Sequence, residues 1–384
     1  MGLTSEGFLA AVIVAVVLFP VLTLVLWNRL PGPKPVKVGS RLTLILFAQA
    51  SAVLLAALWI NNTYQLYTSW SDLLGEDGGV GVIAAATPQT EVGTKLGARA
   101  AGLPNAKLFR PLRGVDDGYT ALISGPVSHI VNTVVVWLPP QYFEAAYAHT
   151  DFPVVQLLSG TPGTPQTWLS GMQAPLALTR LVNAGRAHPF ILVSAAINVD
   201  PGHDPDCSNI PKGPKVATWL TTDVRQLVLS SFRASPSRKA WGLMGYSEGG
   251  LCASKLVLQY PQLYSAAVSL SGDDHPDGDL LKPGTAAYEQ NAPLWLLQHD
   301  APAEVSLLLA GTYQDGNVAQ EAAAMTAAAH MPTTVQTLLS ERGGHNIGVW
   351  KTDETPAFQW LSEHLQTPST PTYTADTKLV SGID

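Results

Sequence analysis

Charge is scarce in this sequence. Only 13% of its 384 residues are charged, and the formal balance is −7. Beyond a short early group there is no basic tract, so nucleic acid is not an expected partner. Cysteine is scarcer still, with only Cys207 and Cys252. Two thiols are too few for a disulfide scaffold, and their spacing matches no zinc site. They allow one bridge, if the compartment is oxidising. Internal repeats are absent as well.

Apolar residues are plentiful, at 46%, and the excess is concentrated near the N-terminus. Phe8 to Leu26 (FLAAVIVAVVLFPVLTLVL) and Leu42 to Ile60 (LTLILFAQASAVLLAALWI) carry no charge. Each is about long enough to cross the hydrocarbon core as a helix. A signal peptide followed by a buried helix fits poorly. The opening MGLTSEG has no Lys or Arg, and no small-x-small cleavage site follows. Residues 1–62 are therefore expected to form a membrane anchor with spans at 8–27 and 42–60. Arg29, Lys34, Lys37 and Arg41 lie between the spans, whereas Asp72, Glu76 and Asp77 follow the second. The positive-inside rule then makes the short loop cytoplasmic and the rest of the chain extracytoplasmic. The expected location is the cell membrane, with a multi-pass anchor.

Residues 63–115 are rich in Gly and Ala and read as a linker or loose cap. From 116 to 366, apolar strand-like runs alternate with helical stretches. Ile130–Leu138, Pro153–Leu158, Phe190–Val199, Ala240–Gly245, Ala266–Leu270, Val305–Ala310 and Thr334–Leu339 are the expected strands. Trp219–Phe232, Gly249–Tyr260 and Asn317–Ala329 are helix candidates. The alternation predicts an α/β domain with a mainly parallel sheet, whose ligands gather at the carboxyl ends of its strands. The polar, Pro-containing tail, 367–384, is expected to be disordered.

Gly245-Tyr246-Ser247-Glu248-Gly249 follows a predicted strand and opens a predicted helix. That is the setting of a nucleophile elbow, where the turn is so tight that the residues two places from the serine must be very small. The helix N-terminus beneath also favours developing negative charge. A serine hydroxyl needs a base. Of nine histidines, His345 in SERGGHNIGVW stands out, because a glycine pair after a predicted strand can turn its ring inward. The base needs a carboxylate to fix its tautomer, falling in chain order between serine and histidine. Asp315, after the run Val305–Ala310, is preferred; Asp300 and Glu321 are rivals, and Asp273 and Asp274 are less suitable. Oxyanion donors are expected from the backbone N–H of Glu248 and from that of Thr161, in the loop of VVQLLSGTPGTPQTW.

The stretches VVVWLPPQYF, PVVQLLSGTPGTPQTW, GYSEGGLCASKLVLQYPQLYSAAVSLSG and GGHNIGVW resemble the esterase family of α/β-hydrolases that includes esterase D and the antigen 85 mycolyltransferases. With two N-terminal helices attached, the whole chain resembles actinobacterial membrane-anchored esterase-like proteins. The resemblance spans about Asp117 to Leu365 and implies roles for Ser247 and His345. Antigen 85 has a Glu in the region of the acid, and here both Asp315 and Glu321 are present. Where esterase D has His-Gly and antigen 85 has Asp-Gly, this chain has Ser159-Gly160, which speaks against mycolyl transfer to trehalose. Cys252 would sit on the helix behind the elbow and Cys207 in a long loop after Phe190–Val199. A Cys207–Cys252 bridge would pin that loop near the site.

The fold expected is an α/β-hydrolase preceded by two transmembrane helices. The function expected is a membrane-tethered serine esterase or acyltransferase that acts on a carboxylic ester, such as a lipid or sugar ester, through an acyl-enzyme. That chemistry needs no metal and no organic cofactor. The alternative is an inactive hydrolase-like domain that binds a cell-envelope component.

Overall fold

The computed structural model describes residues 3, 5–64, 70, 106–200 and 202–370. It divides into two compact units, an N-terminal one and one built from most of the remaining chain. Most of the expected linker or cap (65–69 and 71–105) and of the expected disordered tail (371–384) lies outside the described residues.

The first unit is a helical hairpin. Helix α1 (Glu6–Leu26) is capped by Ser5, whose hydroxyl accepts the Phe8 N–H. Helix α2 (Lys34–Tyr64) begins eight residues earlier than the charge-free run. Lys34, Lys37 and Arg41 thus ride on its first turns instead of in a free loop. Lys and Arg are good helix formers, and Pro35 is tolerated in a first turn, where no N–H is needed. Arg41 donates to the Trp27 carbonyl at 2.7 and 3.0 Å and lays its guanidinium over the Trp27 ring. This satisfies one of the orphan carbonyls at the end of α1. Leu3, Val12 and Leu58 are buried between the helices, and Phe19 stacks on Phe47. Most other apolar side chains, such as Val14, Val17, Leu24, Leu46 and Val53, are exposed. By length and composition both helices can cross a membrane, over Gly7–Leu26 and Lys34–Asn62.

The second unit contains a nine-stranded sheet among the described residues. Its strands are β1 (Arg110–Pro111), β2 (Gly118–Ser124), β3 (Val131–Trp137), β4 (Val154–Leu158), β5 (Ile191–Ala195), β6 (Trp241–Tyr246), β7 (Ala266–Leu270), β8 (Ser306–Thr312) and β9 (Thr334–Ser340). The order is β1-β2-β3-β5-β4-β6-β7-β8-β9, antiparallel up to the β3–β5 pair and parallel from β5 onward. All seven expected strands are present. The additional strands, β1 and β2, lie at one edge, where one-sided burial leaves only a weak apolar signal. Strands β4 to β7 are buried along their whole length, as continuous apolar runs of a sheet covered on both faces must be. Trp219, Trp241, Phe152 and Phe232 fill the core.

The expected helices appear with shifted ends. Trp219–Phe232 becomes a continuous helical stretch from Val216 to Ser231 with a wide turn at Trp219–Val224, and the others are Glu248–Gln259 and Val318–Ala328. Helices Ala174–Asn183, Pro293–His299 and Ile347–His364 were not expected. After the last helix, the Gln366 N–H donates to the Lys239 carbonyl and Ser369 pairs with Asp151, so order runs into the start of the tail.

Strand order places the functional rim. The chain runs from β4 to β5 on one side, then crosses over to β6 on the other. The carboxyl ends of β4 and β6 therefore diverge into the crevice where open α/β sheets bind ligands. Registers Leu158↔Gly245, Tyr246↔Leu270 and Leu270↔Ala310 keep these strand ends level.

Helix Ile347–His364 turns Glu354, Ala357, Phe358 and Leu361 inward, a spacing that forms one helical stripe. Burial pushes the Glu354 carboxyl up to about 8, opposed only by the Lys351 charge, and its Oε2 has no partner. The folded state thus keeps a proton that the unfolded chain releases near 4.5, and stability falls as pH rises between these values. Glu354→Gln should melt higher than the wild type at about pH 9, with the gap shrinking towards pH 5. Thermal melts across that range test this; an offset independent of pH would contradict it.

Candidate active site

Ser247 joins β6 to helix Glu248–Gln259 with φ 55° and ψ −130°. This is a strained backbone for a residue with a side chain, of the kind a nucleophile elbow needs. The flanking glycines explain how the turn closes. A Cβ on Gly245 would strike the Gly249 carbonyl, and one on Gly249 would strike the Leu158 carbonyl at the end of β4. The Ser247 N–H donates to the Leu270 carbonyl at 2.9 Å, which ties the turn to β7. The hydroxyl is left standing at the rim.

His345 reaches it from beyond β9. Its Nε2 lies 2.7 Å from the Ser247 Oγ, and its Nδ1 lies 3.0 and 3.2 Å from the two oxygens of Asp315. The Gly343 N–H is held by the Gln314 side chain at 3.2 Å, in a backbone with φ +149° that favours glycine. The His345 ring meets Trp350 at nearly a right angle with centroids 5.0 Å apart, and Trp350 is itself stacked on Tyr246 at 4.6 Å. Asp315 lies just past β8 and is buried. Burial alone would raise its carboxyl, but the hydrogen bond and the charge of the His345 ring outweigh that and hold it below its ordinary value. It is therefore ionised around neutral pH and can fix the tautomer in which Nε2 accepts a proton.

The rival carboxylates do not bond the ring. Asp300 caps helix Pro293–His299 at its C-terminus and is exposed. Glu321 accepts the Asp274 N–H at 3.1 Å. Asp274 in turn pairs with His275 at 2.5 Å. Asp274, His275 and Glu321 could together offer three metal ligands. Asp273 stands close enough to His345 to feel its charge, and burial raises its carboxyl above the usual range.

The loop after β4 approaches the serine closely. A Cβ on Gly160 would lie 2.7 Å from the Ser247 Cβ and 2.9 Å from the Tyr246 carbonyl. Among the described residues, the N–H groups of Thr161 and Glu248 donate to no protein acceptor. Both flank Ser247 and are available to an oxygen of a bound molecule. The Thr161 hydroxyl donates to the Glu248 carboxyl, a contact the sequence reading did not foresee. Its only signal was a charged residue inside the motif Gly245-Tyr246-Ser247-Glu248-Gly249, which otherwise carries no charge.

Cys207 and Cys252 are disulfide-bonded, with Cα atoms 5.8 Å apart. The bridge fastens the loop after β5 to the helix that begins at Glu248. Beside it, Lys255 is fully buried and donates to the Asp206 carbonyl, the Ser208 hydroxyl at 2.5 Å and Asn291 Oδ1 at 3.1 Å.

Gly160→Ala should displace the loop from the serine. A misplacement near 1 Å lowers the rate by about 10²-fold, so kcat/KM for a chromogenic acetate ester should drop by about that factor. Circular dichroism should still report a folded chain. An unchanged kcat/KM would contradict the close packing of this loop.

Residues 131–361, more than half of the chain, match the family model described as "Putative esterase". An uncharacterized protein of Corynebacterium glutamicum is 24% identical over 272 residues, covering 66% of this chain and 61% of the relative. The match thus spans about three fifths of that relative's length. Three solved structures share the fold. A ferulic acid esterase has a TM-score of 0.55 at 18% identity, over 65% of this chain and 98% of its own. An S-formylglutathione hydrolase from Agrobacterium tumefaciens has 0.57 at 16%, over 67% and 98%. A fluorophosphonate-binding serine hydrolase of Staphylococcus aureus has 0.52 at 17%, over 64% and 98%. The fold, the strand-to-helix turn at Ser247 and the family match lead to one assignment: the chain belongs to this esterase family and has the α/β-hydrolase fold.

Proposed function

We propose that this protein is a membrane-tethered serine esterase whose catalytic domain faces the extracytoplasmic side. The observation that carries the reading is the chain of contacts from the Ser247 hydroxyl through His345 to the Asp315 carboxylate. Ser247 Oγ attacks the ester carbonyl while His345 Nε2 takes its proton. The N–H groups of Thr161 and Glu248 receive the oxyanion, and one such donor typically contributes about 3 kcal/mol to the transition state. The same imidazolium protonates the leaving alcohol as the tetrahedral intermediate collapses. Water, deprotonated by His345, then releases the acid and restores Ser247. Asp315 orients the ring throughout and stabilises its charge.

The His345 side chain is 42% exposed, so solvent reaches the position from which an acceptor must attack. This favours hydrolysis over acyl transfer to a second alcohol. The cations of the hairpin, Arg29, Lys34, Lys37 and Arg41, support a cytoplasmic turn, and both ends of the hairpin then face outward. The Cys207–Cys252 bridge suits the oxidising compartment which that topology implies. Among substrates, the shared chemistry is a carboxylic ester, with lipid and sugar esters of the envelope the nearest candidates for a tethered enzyme.

A fluorophosphonate probe should label the wild type and leave Ser247→Ala unlabelled; a folded wild type that takes no label would favour the inactive, envelope-binding alternative. Asp315→Asn should lower kcat by about 10³- to 10⁴-fold, while Asp300→Asn stays within about threefold of wild type, as is usual for an exposed site. Equal losses in the two variants would contradict the assignment of the acid. Protease added to intact cells should remove the esterase domain; protection until lysis would reverse the topology.

A further inference from the structure

In the mechanism above only the backbone of Glu248 acts, yet its side chain is 94% shielded beside the nucleophile, with a relative exposure of 6%. The Oε2 atom accepts from the Thr161 hydroxyl and from Asn198 Nδ2 at 3.3 Å, while Asn198 Nδ2 also reaches the Thr161 Oγ1 at 2.5 Å. The other oxygen, Oε1, meets no donor.

The groups that face this carboxyl explain why. Asp204 and Asp206 approach from the loop after β5, and Tyr246 from the end of β6. Lys255 lies two turns along the same helix and senses the Glu248 charge. An ammonium has three N–H donors, and those of Lys255 are committed to Asp206, Ser208 and Asn291. Among the described residues, no cation is therefore bonded to Glu248. Another acid, Asp204, stands within hydrogen-bonding reach of this carboxyl, and two carboxyl groups can bond only if a proton lies between them. Burial, and then the negative charges of Asp204 and Asp206, push the Glu248 carboxyl well above the usual carboxylate range, while the Thr161 hydroxyl pulls the other way.

We propose that Glu248 is a positioning residue that works as a neutral carboxylic acid: it donates its proton to Asp204 and, through Thr161, pins the Gly160–Thr161 loop to the start of the nucleophile helix. The inference rests on the esterase reading of the site. The tie sets the distance between the two N–H groups offered to the oxyanion. Neutrality matters as much as the tie. An ionised Glu248 would put a negative charge, in a low-dielectric setting, one residue from the point where the transition state develops its own. The Cys207–Cys252 bridge holds the Asp204 loop against this helix, so the proton acceptor is fixed as well.

Two measurements on the full-length chain test this. Difference infrared spectra of the wild type minus Glu248→Gln, near neutral pH, should contain the carbonyl stretch of a protonated carboxylic acid; carboxylate bands alone would overturn the proposal. In hydrolysis of a chromogenic acetate ester, Thr161→Val and Glu248→Ala should each lower kcat by about 10²-fold, the usual effect of a small misplacement at a reacting centre, with KM little moved. Glu248→Gln, whose amide can donate to Asp204 and accept from Thr161, should recover most of that loss. It should also lack the alkaline fall in kcat that ionisation of Glu248 gives the wild type. A Glu248→Gln enzyme as slow as Glu248→Ala, or one keeping the wild-type alkaline fall, would overturn the positioning role. A wild type that gives the infrared band but turns over no ester would instead overturn the esterase reading and leave the protonated Glu248 standing.

Discussion

Backbone carbonyls crowd the turn at Ser247 so closely that no Cβ fits on Gly245 or Gly249. The rest of the site depends on this steric constraint. It forces the chain from a buried strand directly into a helix, and Ser247 is the residue that carries the strained torsion. The strand end fixes where the hydroxyl stands, and the helix start leaves the N–H groups behind it without intrahelical partners. A turn loose enough to admit larger residues would relax the torsion and let the hydroxyl fold away from the rim.

The other groups arrive by a second consequence of the same sheet. Because β4, β6 and β7 end within one residue of one another in register and β8 only two residues further on, the loops that follow them meet along one rim. The loop of Gly160 follows β4, Ser247 follows β6, Asp315 follows β8 and His345 follows β9. Each functional group thus sits one or a few residues past a rigid strand, and the packing beneath it is apolar. Trp350 and Tyr246 continue that packing up to the imidazole, where their stacked rings limit its rotation.

How much of this was legible in the sequence follows from which interactions are local. Ser247 was readable because its neighbours must be small, a requirement that shows directly as glycine. The rim positions of Asp315 and His345 were readable because each falls shortly after an apolar run, whereas which of Asp315, Asp300 and Glu321 bonds the ring is visible only in the geometry. The tie between Thr161 and Glu248 was not readable, since it joins residues 87 apart through side chains whose orientation no local pattern encodes. Strand β2 was missed because Gly118–Ser124 is buried on one side and mixes small, polar and apolar residues. Helix Ile347–His364 was missed because Pro356 and two buried acids interrupt its apolar stripe. The start of α2 was misread for a different reason: a charge-free run marks the membrane-compatible part of a helix, and the helix itself continues into its cationic turns.

The central claim is that an acyl group passes through the oxygen of Ser247. Rapid quenching during turnover of an activated ester, followed by peptide mass spectrometry, tests it most directly. The account predicts a transient mass increase equal to the acyl group on the peptide that contains Ser247, at a level that rises when water is made limiting. Ester turnover with no acylated peptide, or with the acyl group on another residue, would contradict it.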